Sequence, residues 1–308
     1  MGALAGSAPD IDAVMNFFIS DVDALVMHRG ITHSIFTALI FGPLFGWLLW
    51  RLYKKREGTF RSWTGLVTIN IFFHLFLDTC TVYGTGLLTP FTEHRYAFDT
   101  IFVADPLYTL PLIVAFVALL VIHRDRPSRM RWSVFGLGIS ALYMFFAFVN
   151  HNSAINALRK AVDEKGFATS RLIATPTLLN AVLWNVIAKD SSGYWIGYYS
   201  IFDSDPTPEL FYVPTGNELL NKFENADDIQ KLKKFALGYY SVSEQDGEIW
   251  FNVLRFGQVN GWQNPKSKFA FSYDLSPGAE NSMVVQAGRI EGSKRAVLES
   301  MFQRMKGR

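Results

Sequence analysis

"HRGITHSIFTALIFGPLFGWLLW", His28 to Trp50, changes character partway: two histidines and an arginine lead into a run, from Ser34 onward, that carries no charge. At 1.5 Å of helical rise per residue such a run comes close to crossing a hydrocarbon core roughly 30 Å thick. Three further uncharged apolar runs follow, at Ser62 to Leu77, Pro106 to Ile122 and Trp132 to Asn150. Buried helices of a water-soluble domain would keep a polar face for solvent, and these runs have none. The pattern predicts an α-helical multi-pass membrane domain of about four spans over residues 1–150, followed by a soluble α+β domain over residues 151–308.

Composition agrees with that division. Of 308 residues 50% are hydrophobic and only 18% charged, a balance that leans towards a membrane protein without being all membrane. The net charge of +2 is unremarkable, and no nucleic-acid partner is expected. The N-terminus lacks the basic region of a cleavable signal peptide. Cys80 is the single cysteine, so no intramolecular disulfide can form.

The loops give an orientation. "RLYKKREGTFR" at Arg51 to Arg61 sets five Lys/Arg against one Glu, and "HRDRPSRMR" at His123 to Arg131 sets four Arg against one Asp. By the positive-inside rule both are cytoplasmic. Asp10, Asp12, Asp21 and Asp23 before the first span, and Glu93, Asp99 and Asp105 between the second and third, then face outward. With four spans the C-terminal half emerges on the same outer side. There "HNSAINALRKAVDEKGF" reads as an amphipathic helix leaving the membrane. "WIGYYSIF", "EIWFNVLRF" and "KFAFSYDL" read as strands, and "ADDIQKLKKFA" and "SKRAVLESMFQRM" as helices.

The opening histidines gain partners on that outer face. "HLFLD" places His74 and Asp78 four residues apart on one helical face. "PDID" supplies Asp10 and Asp12, His28 and His33 precede the first span, and Asp105 opens the third. Imidazole and carboxylate are ligands that a divalent ion such as zinc accepts. Each motif alone has an ordinary structural explanation, such as an N-cap for Asp or Ser34. Their convergence on one face, by a topology argument that did not use them, is what points to a metal site. Arg29 could bind a phosphate oxygen bidentately, as could His94 and Arg95 in the outer loop, unless they serve as interfacial anchors. His123 reads as solvated surface and His151 as structural.

"GALAGSAPDID", "HRGITHS", "HLFLD", "YGTGLLTPF" and "DPLYTLP", in that order and spacing, resemble the YdjM-like family of bacterial membrane-bound proteins predicted to be metal-dependent hydrolases. The resemblance runs from Gly2 to about Pro111. That family is distantly similar to zinc-dependent phospholipase C and the zinc single-strand nucleases. The resemblance implies that Asp10, Asp12, His28, His33, His74, Asp78 and Asp105 bind metal, most readily one to three zinc ions. It implies a bacterial inner-membrane hydrolase acting on a phosphoester at the periplasmic face. Family members usually begin with a further apolar helix, and here the match starts at its end.

Chemically, a metal ion lowers the pKa of bound water from about 15.7 towards 7, so a metal-bound hydroxide would be the attacking group. A substrate with an apolar anchor, a phospholipid or lipid-linked phosphate, would explain a hydrolytic site at the membrane rim. The alternative is a non-catalytic, metal-stabilised scaffold whose outer domain binds a partner. A metal transporter fits less well, because the interiors of spans one, three and four hold no His or Asp.

Overall fold

A computed structural model describes residues 2–53, 58–222, 226–245, 247–275 and 294–308. Part of the basic loop used to orient the chain, residues 54–57, lies outside the described residues. The chain divides into two compact units, one running to Phe98 with Lys222–Gly238 added, the other comprising Asp99–Asn221, Tyr239–Tyr273 and the C-terminal helix.

The first unit is helical. After α1 (Gly2–Gly6), a 3-10 segment over Pro9–Phe17 and α2 (Asp21–Met27), two long helices run side by side: α3 (Ile35–Leu52) and α4 (Phe60–Cys80). Ser34 caps α3 by accepting from the Thr37 amide (3.1 Å), and Thr59 and Ser62 form a capping box on α4. The helices approach closely because Gly42 and Gly46 face Thr68 and Thr64. A Cβ on Gly42 would lie 2.1 Å from Thr68 Oγ1, and one on Gly46 only 2.5 Å from the Thr64 backbone. Ile40 and Leu44 on the opposite face are exposed, as side chains that meet lipid would be. The amphipathic helix α7 (Ala226–Phe235) belongs to this unit rather than to the C-terminal one expected from its position. Its Lys231 ammonium reaches Asp23 on α2 at 2.6 Å, and Phe235 meets the Tyr83 ring edge-on.

The second unit begins with α5 (Pro106–Val121), then α6 (Ser128–Lys165). Gly136 lets α6 press against Ala115 and Pro111 of α5. The helix expected to start at His151 is the second half of α6, a single 38-residue helix, because no Gly or Pro interrupts it near Asn150. The expected domain boundary at 150 therefore falls inside a helix. Ala147, Ala154, Ala157 and Leu158 pack against Ala174, Trp184, Val186 and Ala188 of a four-stranded antiparallel sheet. Its strands are β1 (Arg171–Pro176), β2 (Leu183–Lys189), β3 (Gly193–Ser200) and β4 (Leu210–Pro214), in that order, with Ile173 opposite Ile187 and Ile187 opposite Ile196. A second sheet holds β5 (Tyr240–Gln245), β6 (Glu248–Gln258) and β7 (Phe269–Asp274). The last helix, α8 (Lys294–Met305), is tied down by Arg304, whose guanidinium grips both oxygens of Asp203 at 2.6 and 2.8 Å.

Among the described residues three helices, α3, α4 and α6, are long and apolar enough to cross a membrane. The fourth expected span, α5, has 16 residues, which rise about 24 Å, less than a hydrocarbon core of roughly 30 Å. The architecture is thus a helical N-terminal region with three candidate spans, followed by a sheet-rich C-terminal region.

Candidate metal centre

Four segments of the first unit bring ionisable side chains together: the 3-10 segment with Asp10 and Asp12, the end of α2 with His28 and Arg29, a 3-10 turn over Ile31–His33, and the last turns of α4 with His74 and Asp78. The connection from Thr81 to Phe98 closes over them. Gly86 donates its amide to the Arg29 carbonyl (2.8 Å), and a Cβ there would strike Thr89 Oγ1 at 2.5 Å.

At the centre, His33 Nε2 and His74 Nε2 lie 3.2 Å apart. Asp10 Oδ1 stands 3.4 Å from the first and 3.5 Å from the second. Asp78 Oδ2 stands 3.3 and 3.4 Å from the same two nitrogens, is buried, and has no hydrogen-bond partner. Two ligands of a tetrahedral ion bound at about 2.0–2.2 Å are roughly 3.3–3.6 Å apart, so these separations match the edges of such a polyhedron. Asp10, His33 and His74 form a group able to hold a metal ion, and no other such group occurs among the described residues. The residues fit a cation of this kind, and the structure gives no identity for it. Asp10 is half exposed while His33 is fully buried, so the group opens to one side only.

Around this centre a second layer fixes the ring orientations. His33 Nδ1 is 3.0 Å from Thr32 Oγ1, which donates to Asp12 Oδ2 at 2.7 Å. Because the Thr32 hydroxyl donates to Asp12, its oxygen accepts from His33 Nδ1–H, which would leave Nε2 free to bind a cation whenever the ring is neutral. Asp12 Oδ1 takes His28 Nδ1 (3.1 Å), and its Oδ2 also accepts the Arg29 amide (3.2 Å). Burial alone would raise the Asp12 pKa, but hydrogen bonds from His28, His33 and Thr32 hold it below the usual carboxylate range. Hydrogen bonds from His33 and His74 likewise depress Asp10. For His33 burial works against the charged form, yet the Asp10 and Asp12 carboxylates outweigh it and raise the pKa. A site that favours a positive charge on imidazole favours cations in general.

The expected residues fall into three sets. Asp10, His33, His74 and Asp78 converge. Asp12 and His28 adjoin them but face one another, and Asp12 has both oxygens engaged by protein donors. Asp105, expected as a ligand, is spent within its own unit: it accepts the Leu107 amide (2.9 Å) to cap α5 and the Tyr143 hydroxyl (2.8 Å). Burial raises its pKa, against the lowering effect of the hydrogen bonds from Tyr143 and the Leu107 and Tyr108 amides.

The arginines also differ from expectation. Arg95 is 4% exposed, and its guanidinium donates to the carbonyls of Val26 (2.5 Å), His28 (2.9 Å) and Gly84 (3.3 Å), closing the C-terminal end of α2 rather than facing a ligand. His94 is exposed, edge-on to Tyr96. Arg29, expected to clamp phosphate, is 7% exposed and engaged by Asp78 and Thr81. Sequence reasoning missed Thr32, Thr81 and Tyr83, whose ring lies 5.1 Å from the Arg29 guanidinium. Tyr83 is part of the quoted "YGTGLLTPF", so a signal was present. Cys80 is buried at the end of α4, His123 is exposed beside Asp125, and His151 meets Trp184 edge-on.

A helical membrane protein with a histidine–carboxylate cluster at the ends of its helices is the class that this geometry defines. The chain belongs to the YdjM inner membrane protein family, whose model matches residues 1–154. It is also similar to a protein of Bacillus subtilis (strain 168) described as "Uncharacterized protein YfhP", 33% identical over 108 residues, which are 34% of this chain and 32% of that protein. The match thus spans about a third of the relative's length. No solved structure matches the chain.

Proposed function

We propose that the protein is a membrane-bound, metal-dependent hydrolase of a phosphoester, with Asp10, His33, His74 and Asp78 as ligands of a zinc-like divalent ion. The observation that carries this reading is the pair of apposed Nε2 nitrogens, 3.2 Å apart, flanked by two carboxylate oxygens within 3.5 Å. Charge supports it too. Asp10, Asp12 and Asp78 contribute three negative charges against the one positive charge of Arg29, and the balance of two matches a divalent cation. A bound ion would supply hydroxide at neutral pH and stabilise charge on a phosphoryl oxygen. The half-exposed Asp10 marks the side from which water and substrate reach the centre, which favours a catalytic site over a closed structural one. His33, with its Nδ1 proton held by Thr32, keeps its ring fixed as charge develops.

In this reading α5 joins α3, α4 and α6 as a fourth, short span. The basic loops face the cytoplasm, and the centre and the sheet-rich region face the periplasm. Substrates are lipids or lipid-linked phosphates, whose phosphate lies at headgroup depth where the helices end. The test is to purify the protein in detergent, measure its metal content and assay a panel of phosphoesters including phospholipids. Turnover that tracks metal loading supports the proposal, and a metal-replete protein that cleaves none of them would reject the hydrolase reading.

A further inference from the structure

Arg29 sits between Asp78 and Asp12, the carboxylate that braces the His33 ring. Its Nη2 lies 3.0 Å from Asp78 Oδ1, the oxygen that turns away from the histidines. Its Nη1 donates to Thr81 Oγ1 at 2.6 Å, and that hydroxyl donates to the Asp78 carbonyl at 2.8 Å. Tyr83 covers the guanidinium face, 5.1 Å away. The backbone of the same residue reaches Asp12: its amide donates to Asp12 Oδ2, and its carbonyl accepts from Gly86. Arg29 also adopts φ 58°, a left-handed conformation that a non-glycine residue holds only when its surroundings over-determine it.

We propose that Arg29 is a positioning residue, which locks Asp78 with one oxygen on the guanidinium and the other on the histidine pair, and so sets the affinity of the centre for a divalent ion. The inference rests on the metal reading above and goes beyond it. A substrate clamp would keep guanidinium N–H groups directed at open solvent, whereas both Nη groups here end on protein oxygens in a buried position. Without Arg29 the Asp78 Oδ1 atom loses its guanidinium partner, and only the histidine side of the carboxylate remains paired. Held by Arg29, its Oδ2 has a single place to point. Residues that orient a metal ligand in this way typically change affinity by about 10–100-fold when removed.

The experiment is a Co(II) titration of the detergent-solubilised full chain, read by the visible d–d spectrum, for wild type, Arg29→Met, Arg29→Lys, Asp78→Asn and the double variant Arg29→Met/Asp78→Asn. Arg29→Met should weaken Co(II) binding by about 10–100-fold. Arg29→Lys, which keeps the charge but loses the fork, should fall between it and wild type, and serves should the Met variant fail to fold. Because Arg29 acts through Asp78, adding Arg29→Met to Asp78→Asn should cost little more than Asp78→Asn alone. Unchanged affinity and spectrum in Arg29→Met and Arg29→Lys, or fully additive losses in the double variant, would overturn the positioning role while leaving the metal centre intact. Absence of Co(II) binding by the wild type would overturn the metal reading itself, and this inference with it.

Discussion

Two carboxylates, Asp78 in the first unit and Asp203 in the second, each meet an arginine, and they do so differently. Asp203 gives both oxygens to Arg304, and its Oδ2 also accepts the Ser200 amide at 2.9 Å, so every acceptor position serves the fold. Asp78 gives one oxygen to Arg29 and turns the other, buried and without a well-formed hydrogen bond, towards the His33 and His74 Nε2 atoms at 3.3 and 3.4 Å. Native interiors rarely leave a buried acceptor unmatched, so such an atom calls for a functional explanation. The contrast separates a structural ion pair from a candidate ligand. The first closes on itself, and the second holds one atom in reserve.

Several variants would break or sharpen that contrast. The largest effect belongs to His74→Ala and Asp78→Ala, each of which should strip metal from the purified protein by elemental analysis, whereas the exposed His123→Ala should retain it. Retention in all three would erase the difference between the two carboxylates. Asp203→Ala should act on stability instead, lowering it by about 3–5 kcal/mol in denaturant unfolding because Arg304 is left buried and unpaired, with metal content unchanged. Asp12→Asn should be milder, weakening metal affinity by about 10–100-fold through loss of its grip on the His33 and His28 rings. Gly42→Ala should leave metal binding unaltered and destabilise the α3–α4 pair by about 1–3 kcal/mol, because the added methyl meets Thr68. A neutral result there would show that the helices part more easily than their packing indicates.

Much of the membrane region could be read before folding, since an uncharged apolar run announces itself by composition. Pro106–Val121 was expected to within a residue, from Pro106 to Ile122. Length separates the elements: α5, at 16 residues, is shorter than the three candidate spans, and α6 runs on past His151 since polar residues do not end a helix by themselves. In the sheet-rich region β2 and most of β3 are buried along nearly their whole length, so the period-two alternation that betrays a strand is absent. "WIGYYSIF", rich in aromatics, was legible all the same, while "LWNVIAK" and "RLIATP" were not. At the site, spacing brought His74 and Asp78 onto one face, and topology brought Asp10 and His33 to the same end. Spacing could not show which oxygen of a carboxylate faces inward. The roles of Asp12, Arg29 and Asp105 therefore emerged only once their hydrogen-bond partners were visible.

The central claim is that His33, His74, Asp10 and Asp78 jointly bind a divalent ion. X-ray absorption on the purified, metal-loaded protein tests it most directly, because the method counts nitrogen and oxygen neighbours and measures their distances. The account predicts a first shell of imidazole nitrogens and carboxylate oxygens at about 2.0–2.2 Å, with the imidazole signal reduced by about half in His74→Ala. A metal-free protein, or a first shell unchanged by His74→Ala, would contradict it.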